Sequence, residues 1–147
     1  TTAAVADGKL LFGLSGNPSA CYVGFEVFAR PALLGMTGSR KPYPAYTRAV
    51  LAEDYPKANP FTRFVRAAYW HDGHRPAVRS AGFDKSNAVS SLARGNALIV
   101  LPGGTRGFRK GTEVDVLLPW AEEGEAEWRI PEGLHASKPS SPGRTTR

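Results

Sequence analysis

From Arg40 onward the chain cannot sustain a long regular element, because its apolar runs are short and each is closed by Pro, Gly, Asn or Asp. The runs Thr47–Ala52, Phe61–Trp70, Ala77–Ser80, Ala97–Leu101 and Glu113–Leu118 are predicted strands. Strands this short bury an apolar face only by folding onto one another, and five or six antiparallel ones close into a small barrel. A short helix over Ala88–Arg94 is expected within this unit.

The segment before Arg40 has a different texture. Lys9–Leu14 (KLLFGL) reads as a short buried strand, broken by Gly16-Asn17-Pro18 ahead of a helix starting near Ser19. Ala20, Val23, Val27 and Phe28 recur at helical spacing and Phe25 adds a second apolar position, so most of the helix should be covered by protein. Pro31 should kink or restart it, and Gly38 should end it. A boundary near Ser39–Pro44 then separates two units. Without sheet neighbours, KLLFGL would be an open edge, and association with another chain through it is expected.

Composition narrows the functional classes. The 147 residues, 41% of them hydrophobic, suit one domain or two small ones. No apolar run approaches the roughly 20 residues of a membrane helix, and the start of the sequence lacks the pattern of a secretory signal, so a cytosolic setting without a membrane partner is expected. The single cysteine, Cys21, lies in an apolar helical run and reads as a small buried side chain. The net charge of +6 invites a nucleic-acid reading, but Arg129 to Arg147 holds four Lys/Arg against one Glu, half of the total. That Ser/Pro-rich stretch reads as a solvated extension rather than a polyanion-binding arm.

Three stretches carry candidate chemistry. In GLSGNPSA, Gly13–Ala20, a glycine turn entering a helix either cradles an anion on unpaired N–H groups, helped by Ser15, Asn17 and Ser19, or is merely capped by Asn17 or Ser19. In SAGFDKSNAVSSLARGN, Ser80–Asn96, Gly82, Lys85, Ser86, Ser90 and Ser91 offer more anion donors than a barrel connection requires, or else cap a short helix. In PFTRFVRAAYW, Pro60–Trp70, Arg63, Arg66 and Trp70 punctuate an alternating strand, and an arginine there binds an oxyanion only if it faces a pocket. By contrast, His71-Asp72-Gly73-His74 reads as a turn, lacking a Cys or Glu to complete a metal set, and Lys110-Gly111 reads as a hairpin turn.

In this order, FGLSGNPSA with FEVFARPAL, then FVRA, then SNAVSSLARGN leading into ALIVLPGGTRGFRKGTEVDVLL, the chain resembles the C-terminal part of the molybdopterin molybdenumtransferase family, of the MoeA and gephyrin E-domain type. The likeness covers Leu10 to about Leu118, departing at Ser15, where proline is commoner, and at Gly95, where alanine is commoner. It implies a mixed α and β fold. Residues 1–41 would be the last strand and helix of a MogA-like, molybdopterin-binding α/β subdomain, residues 42–120 a small, mostly antiparallel C-terminal β-barrel (domain IV), and 121–147 a polar tail.

The resemblance also implies a cytoplasmic, homodimeric enzyme that hydrolyses adenylylated molybdopterin (molybdopterin-AMP) with the help of Mg2+ and inserts molybdenum from molybdate. By matching position, Gly16, Asn17, Pro18 and Ser19 would line the molybdopterin or nucleotide pocket through backbone N–H groups and short side chains. Arg66 and Ser91 would hold molybdate, with Lys85 and Ser86 on the same loop. The family's acidic metal ligands and most of its α/β subdomain have no counterpart in the sequence, so the chain is expected to be a fragment, inactive alone. A gephyrin-like scaffold binding a partner peptide and a basic nucleic-acid-binding barrel are the alternatives.

Overall fold

The computed structural model describes residues 1–57, 60–81 and 95–129. Its centre is a closed five-stranded barrel built from β3 (Ala45–Leu51), β4 (Arg63–Asp72), β5 (Arg75–Ser80), β6 (Ala97–Leu101) and β7 (Glu113–Leu118) in the order β3-β5-β4-β6-β7. All its pairings are antiparallel except a short parallel contact of β3 with β5, Val50 to Ala77 and Leu51 to Val78. The expected ranges of β6 and β7 match those observed, while β4 lies two residues further along than expected and β5 begins two residues earlier. The short helix expected over Ala88–Arg94 lies outside the described residues.

Alternation along the strands creates two apolar layers. Ala97, Ile99 and Leu101 of β6 point into the barrel with Val114 and Val116 of β7, Ala49 and Leu51 of β3, Ala67 of β4 and Val78 of β5. Leu98 and Val100 point the other way, where with Leu117 they meet Val27 of the helical segment and the partly buried Tyr22, Val23, Tyr46, Phe64 and Trp128. β6 is therefore buried on both faces, which accounts for its uninterrupted apolar run.

That helical segment consists of α1 (Pro18–Gly24), a π-helical stretch Phe25–Ala29, and α2 (Arg30–Met36). The expected disturbance at Pro31 takes this form: the proline has no N–H to continue the α pattern, and just before it the Arg30 N–H reaches back five residues to the Phe25 carbonyl. Gly38 ends the rod as expected. At φ +87° it lets Gly38 N–H bond the Gly35 carbonyl and Ser39 N–H the Leu34 carbonyl, closing a Schellman motif.

Two expectations are corrected. KLLFG does not stand without a neighbour: β2 (Lys9–Gly13) pairs antiparallel with β1 (Thr2–Ala6) across Asp7-Gly8, both at positive φ. Nor does the folded part stop at residue 120. Tyr43 and Glu125 exchange backbone hydrogen bonds, Lys41 pairs with Glu123 at 2.8 Å, and Trp128 stacks edge-on against Tyr43 and reaches the outer apolar layer. Gly124 permits this return, because a Cβ there would collide with the Tyr43 and Lys41 carbonyls.

The helix–barrel contact contains one buried charge. Glu26 is 2% exposed and lies 3.5 Å from Arg30, whose guanidinium also donates to the Pro119 carbonyl and covers the Trp120 ring at 5.5 Å. The Trp120 indole N–H in turn donates to the Tyr22 hydroxyl at 3.1 Å, so the ring of contacts closes on the helix it left. Burial raises the Glu26 carboxyl above its ordinary 4.5, with Arg30 opposing the rise. Folded Glu26 thus keeps its proton to a higher pH than unfolded Glu26, and stability falls as pH rises from 4.5 through the raised value.

Glu26→Gln is expected to remove that fall, which thermal melts from about pH 4 to about pH 7 would register. Ile99→Ala, emptying the barrel interior, is expected to cost about 2–5 kcal/mol in a denaturant titration.

Candidate functional site

The turn before α1 is fully organised by its own side chains. Asn17 has extended backbone and its Oδ1 accepts from the Ser19 N–H at 3.0 Å and the Ala20 N–H at 3.3 Å, while Ser15 Oγ accepts from the Asn17 N–H at 3.2 Å. Pro18 has no N–H to give. Of the two readings of this turn, the cap is the one that forms. Within the turn the Asn17 and Ser19 N–H groups are already bonded and Pro18 has none, which leaves the side chains of Asn17 and Ser19 as the groups that border the cleft. Gly16 takes its place in the turn without lining the neighbouring cleft.

Ser19 then makes the contact that joins the two parts of the chain. Arg66, in the middle of β4, points out of the barrel and donates from a terminal guanidinium nitrogen to Ser19 Oγ at 3.0 Å, across 47 positions of sequence. The capped turn fixes where Ser19 stands, and the β4 ladder to Leu98 fixes Arg66. One turn further along α1, Tyr22 senses Arg66 electrostatically, although burial dominates and raises its hydroxyl above the ordinary value. Two residues singled out from separate stretches are thus brought within one hydrogen bond. Lys85, Ser86 and Ser91 lie outside the described residues.

Arg66 and Ser19 border a cleft of about 530 Å³ between α1 and β4. Asn17 and Ser80 add polar groups, and Val23 and Phe64 add apolar wall. Among the described residues no carboxylate lines it. A forked cation beside hydroxyl and amide donors is equipped to take an oxyanion. Arg63 also lines this cleft. Sequence reasoning noted it only as punctuation of the strand, and the signal it offered was its place three positions before Arg66.

Elsewhere, His71-Asp72-Gly73-His74 forms the expected turn, with Asp72 paired to Arg75 and Gly73 at φ +62°. His71 faces Tyr69, their rings edge-on at 5.4 Å.

Comparison with known proteins places these features in a family. Residues 48–118 match the family model described as the MoeA C-terminal region (domain IV). A molybdopterin molybdenumtransferase of Staphylococcus aureus (strain N315) is 50% identical over 127 residues, covering 86% of this chain and 30% of that protein. The Staphylococcus epidermidis (strain ATCC 12228) protein of the same name is 52% identical over the same shares. Among solved structures, a molybdopterin biosynthesis MoeA protein from Pyrococcus horikoshii OT3 superposes with a TM-score of 0.58 at 29% identity, over 71% of this chain and 26% of that one. A molybdenum cofactor biosynthesis protein from Pyrococcus furiosus gives 0.55 at 36% identity, over 71% and 36%. The chain spans 30% of the length of these curated relatives.

Asn17→Ala is expected to cost about 1 kcal/mol through loss of the cap. A double-mutant cycle of Ser19→Ala with Arg66→Ala is expected to show a coupling of about 1 kcal/mol by chemical denaturation, and additive losses would mean that the two side chains do not hold each other in solution.

Proposed function

Because this chain belongs to the MoeA family, through a C-terminal region (domain IV) at residues 48–118, we propose that it is the C-terminal part of a molybdopterin molybdenumtransferase and holds molybdate between its barrel and its helix. The observation that carries the reading is the Arg66–Ser19 contact at the border of a cleft that no carboxylate of the described residues lines. The reaction proposed for the whole protein is insertion of molybdenum from molybdate into adenylylated molybdopterin, with hydrolysis of the adenylate.

In this reading Arg66 offers two parallel N–H donors to molybdate, a tetrahedral dianion, and exchanges its bond to Ser19 for bonds to oxyanion oxygens. Ser19 Oγ, released from accepting, turns its own O–H to the same anion. Asn17 acts one step back, holding the turn so that Ser19 stays opposite Arg66. Arg30, through Pro119 and Trp120, holds the helix at a fixed distance from β4. Ser91 is proposed as a second hydroxyl donor to molybdate, with Lys85 and Ser86 beside it.

Mg2+ would supply charge neutralisation at the adenylate phosphate. Among the described residues no three of His, Cys, Asp or Glu gather where they could hold a metal ion. The proposed setting is the cytoplasm, with the whole protein a homodimer and neither nucleic acid nor membrane as partner. No described helix is long and apolar enough to cross a membrane.

The test is a chimaera in which this chain replaces the corresponding part of the Staphylococcus aureus relative, assayed for molybdenum insertion. The native chimaera is expected to be active, and Arg66→Ala to lower kcat/KM about 10²- to 10³-fold with the fold retained. Activity indifferent to Arg66 would remove the mechanism. Alone, the chain is expected to give no insertion, as measured by the same assay.

A further inference from the structure

Arg66 and Ser19 suffice for one small oxyanion, yet the cleft they border encloses about 530 Å³. A second guanidinium stands in its wall. Arg63 and Arg66 leave β4 on opposite faces, as positions three apart on a strand must. They reach the same cleft where the ladder from β4 to β5, which runs only from Ala67 to Asp72, has given out: residues 63–66 pair with β6 on one side, and on the other only the Ala81 N–H reaches the Arg66 carbonyl among the described residues. Three residues of strand separate their Cα atoms by about 10 Å. Leaving the strand on opposite faces, the two forks come to the cleft from different sides, which suits two anionic groups held side by side.

The electrostatics agree with the spacing. Arg48, Arg109 and Arg129 each reach a carboxylate, whereas Arg63 has no hydrogen-bond or ion-pair partner among the described residues. Val23, Phe28 and Phe64 supply apolar wall in the same cleft. The combination fits a ligand with a charged end and a non-polar body.

We propose that Arg63 is a second anion-binding residue of this cleft, taking the phosphate of an extended organic anion while Arg66 and Ser19 take the small oxyanion. The assignment rests on the oxyanion reading of Arg66 and deepens it by dividing the site in two. A phosphate offers Arg63 the same forked geometry that a carboxylate would, with more charge.

Calorimetric titration of the 147-residue chain with adenosine monophosphate, and separately with molybdate, tests this on native, Arg63→Gln, Arg63→Lys and Arg66→Gln proteins. Arg63→Gln is expected to weaken adenosine monophosphate about tenfold and leave molybdate unchanged, with Arg63→Lys in between because it keeps the charge and loses the fork. Arg66→Gln is expected to weaken molybdate about tenfold. Unchanged adenosine monophosphate binding in Arg63→Gln, its absence in the native chain, or an equal loss of both anions overturns the role of Arg63. Molybdate binding indifferent to Arg66→Gln overturns the underlying oxyanion reading instead. Arg63 is solvent-exposed, and matching thermal melts would show that its variants remain folded.

Discussion

The contact of the helical rod with the outside of β6 and β7 is the constraint from which the rest follows. Val27 on Leu98, Val100 and Leu117 removes apolar surface that a barrel alone would leave wet. The same contact sets Ser19 against Arg66, since the rod carries the first and β4, laddered to β6, carries the second. Glu26 makes the contact specific rather than merely adhesive. Its burial costs free energy unless Arg30 is beside it, and Arg30 is anchored by the Pro119 carbonyl and Trp120. A helix shifted along the barrel would keep greasy contacts but strand that carboxylate.

The site is correspondingly divided between parts that contribute different things. The turn supplies rigidity, having consumed the Asn17, Ser19 and Ala20 donors locally, and the barrel supplies charge from the stretch of β4 that lies beyond its ladder to β5. In the proposed reading an anion arriving there would meet side chains rather than helix-end amides. Glycine turns ahead of helices invite the opposite assumption, and Asn17 is the residue that decides against it.

What could be read from the sequence followed from pattern strength. The runs ALIVL and EVDVLL were legible to the residue, because a doubly buried strand and an alternating one leave distinct signatures. The Asp-Gly turn at 72–73 was legible for its chemistry. Three features were not. β1 is built from small residues whose alternation is weak, although Asp7-Gly8 was available as a hairpin signal. The return of Trp128 hid inside a Glu-rich segment, where one aromatic and one glycine outweigh the surrounding charge. The convergence of Ser19 with Arg66 is a tertiary fact. Sequence could nominate both residues but could not bring them together, and it passed over Arg63 because an arginine at a strand's start is usually solvated.

The double burial of β6 has a cost before the fold is complete. Ala97–Leu101 is five apolar residues without charge or proline, and nothing on either face protects it until β4, β7 and the helix have all arrived. During synthesis this strand emerges ahead of β7, so for that interval it is the stretch most able to pair with a copy of itself. Gly95-Asn96 before it and Pro102-Gly103 after it act as gatekeepers, shortening the window over which an intermolecular ladder could grow. Replacing these flanks with β-formers would endanger the yield of folded protein, and in the finished barrel it would also remove the two bonds of Asn96 to the Tyr69 backbone and crowd position 103 against Phe61.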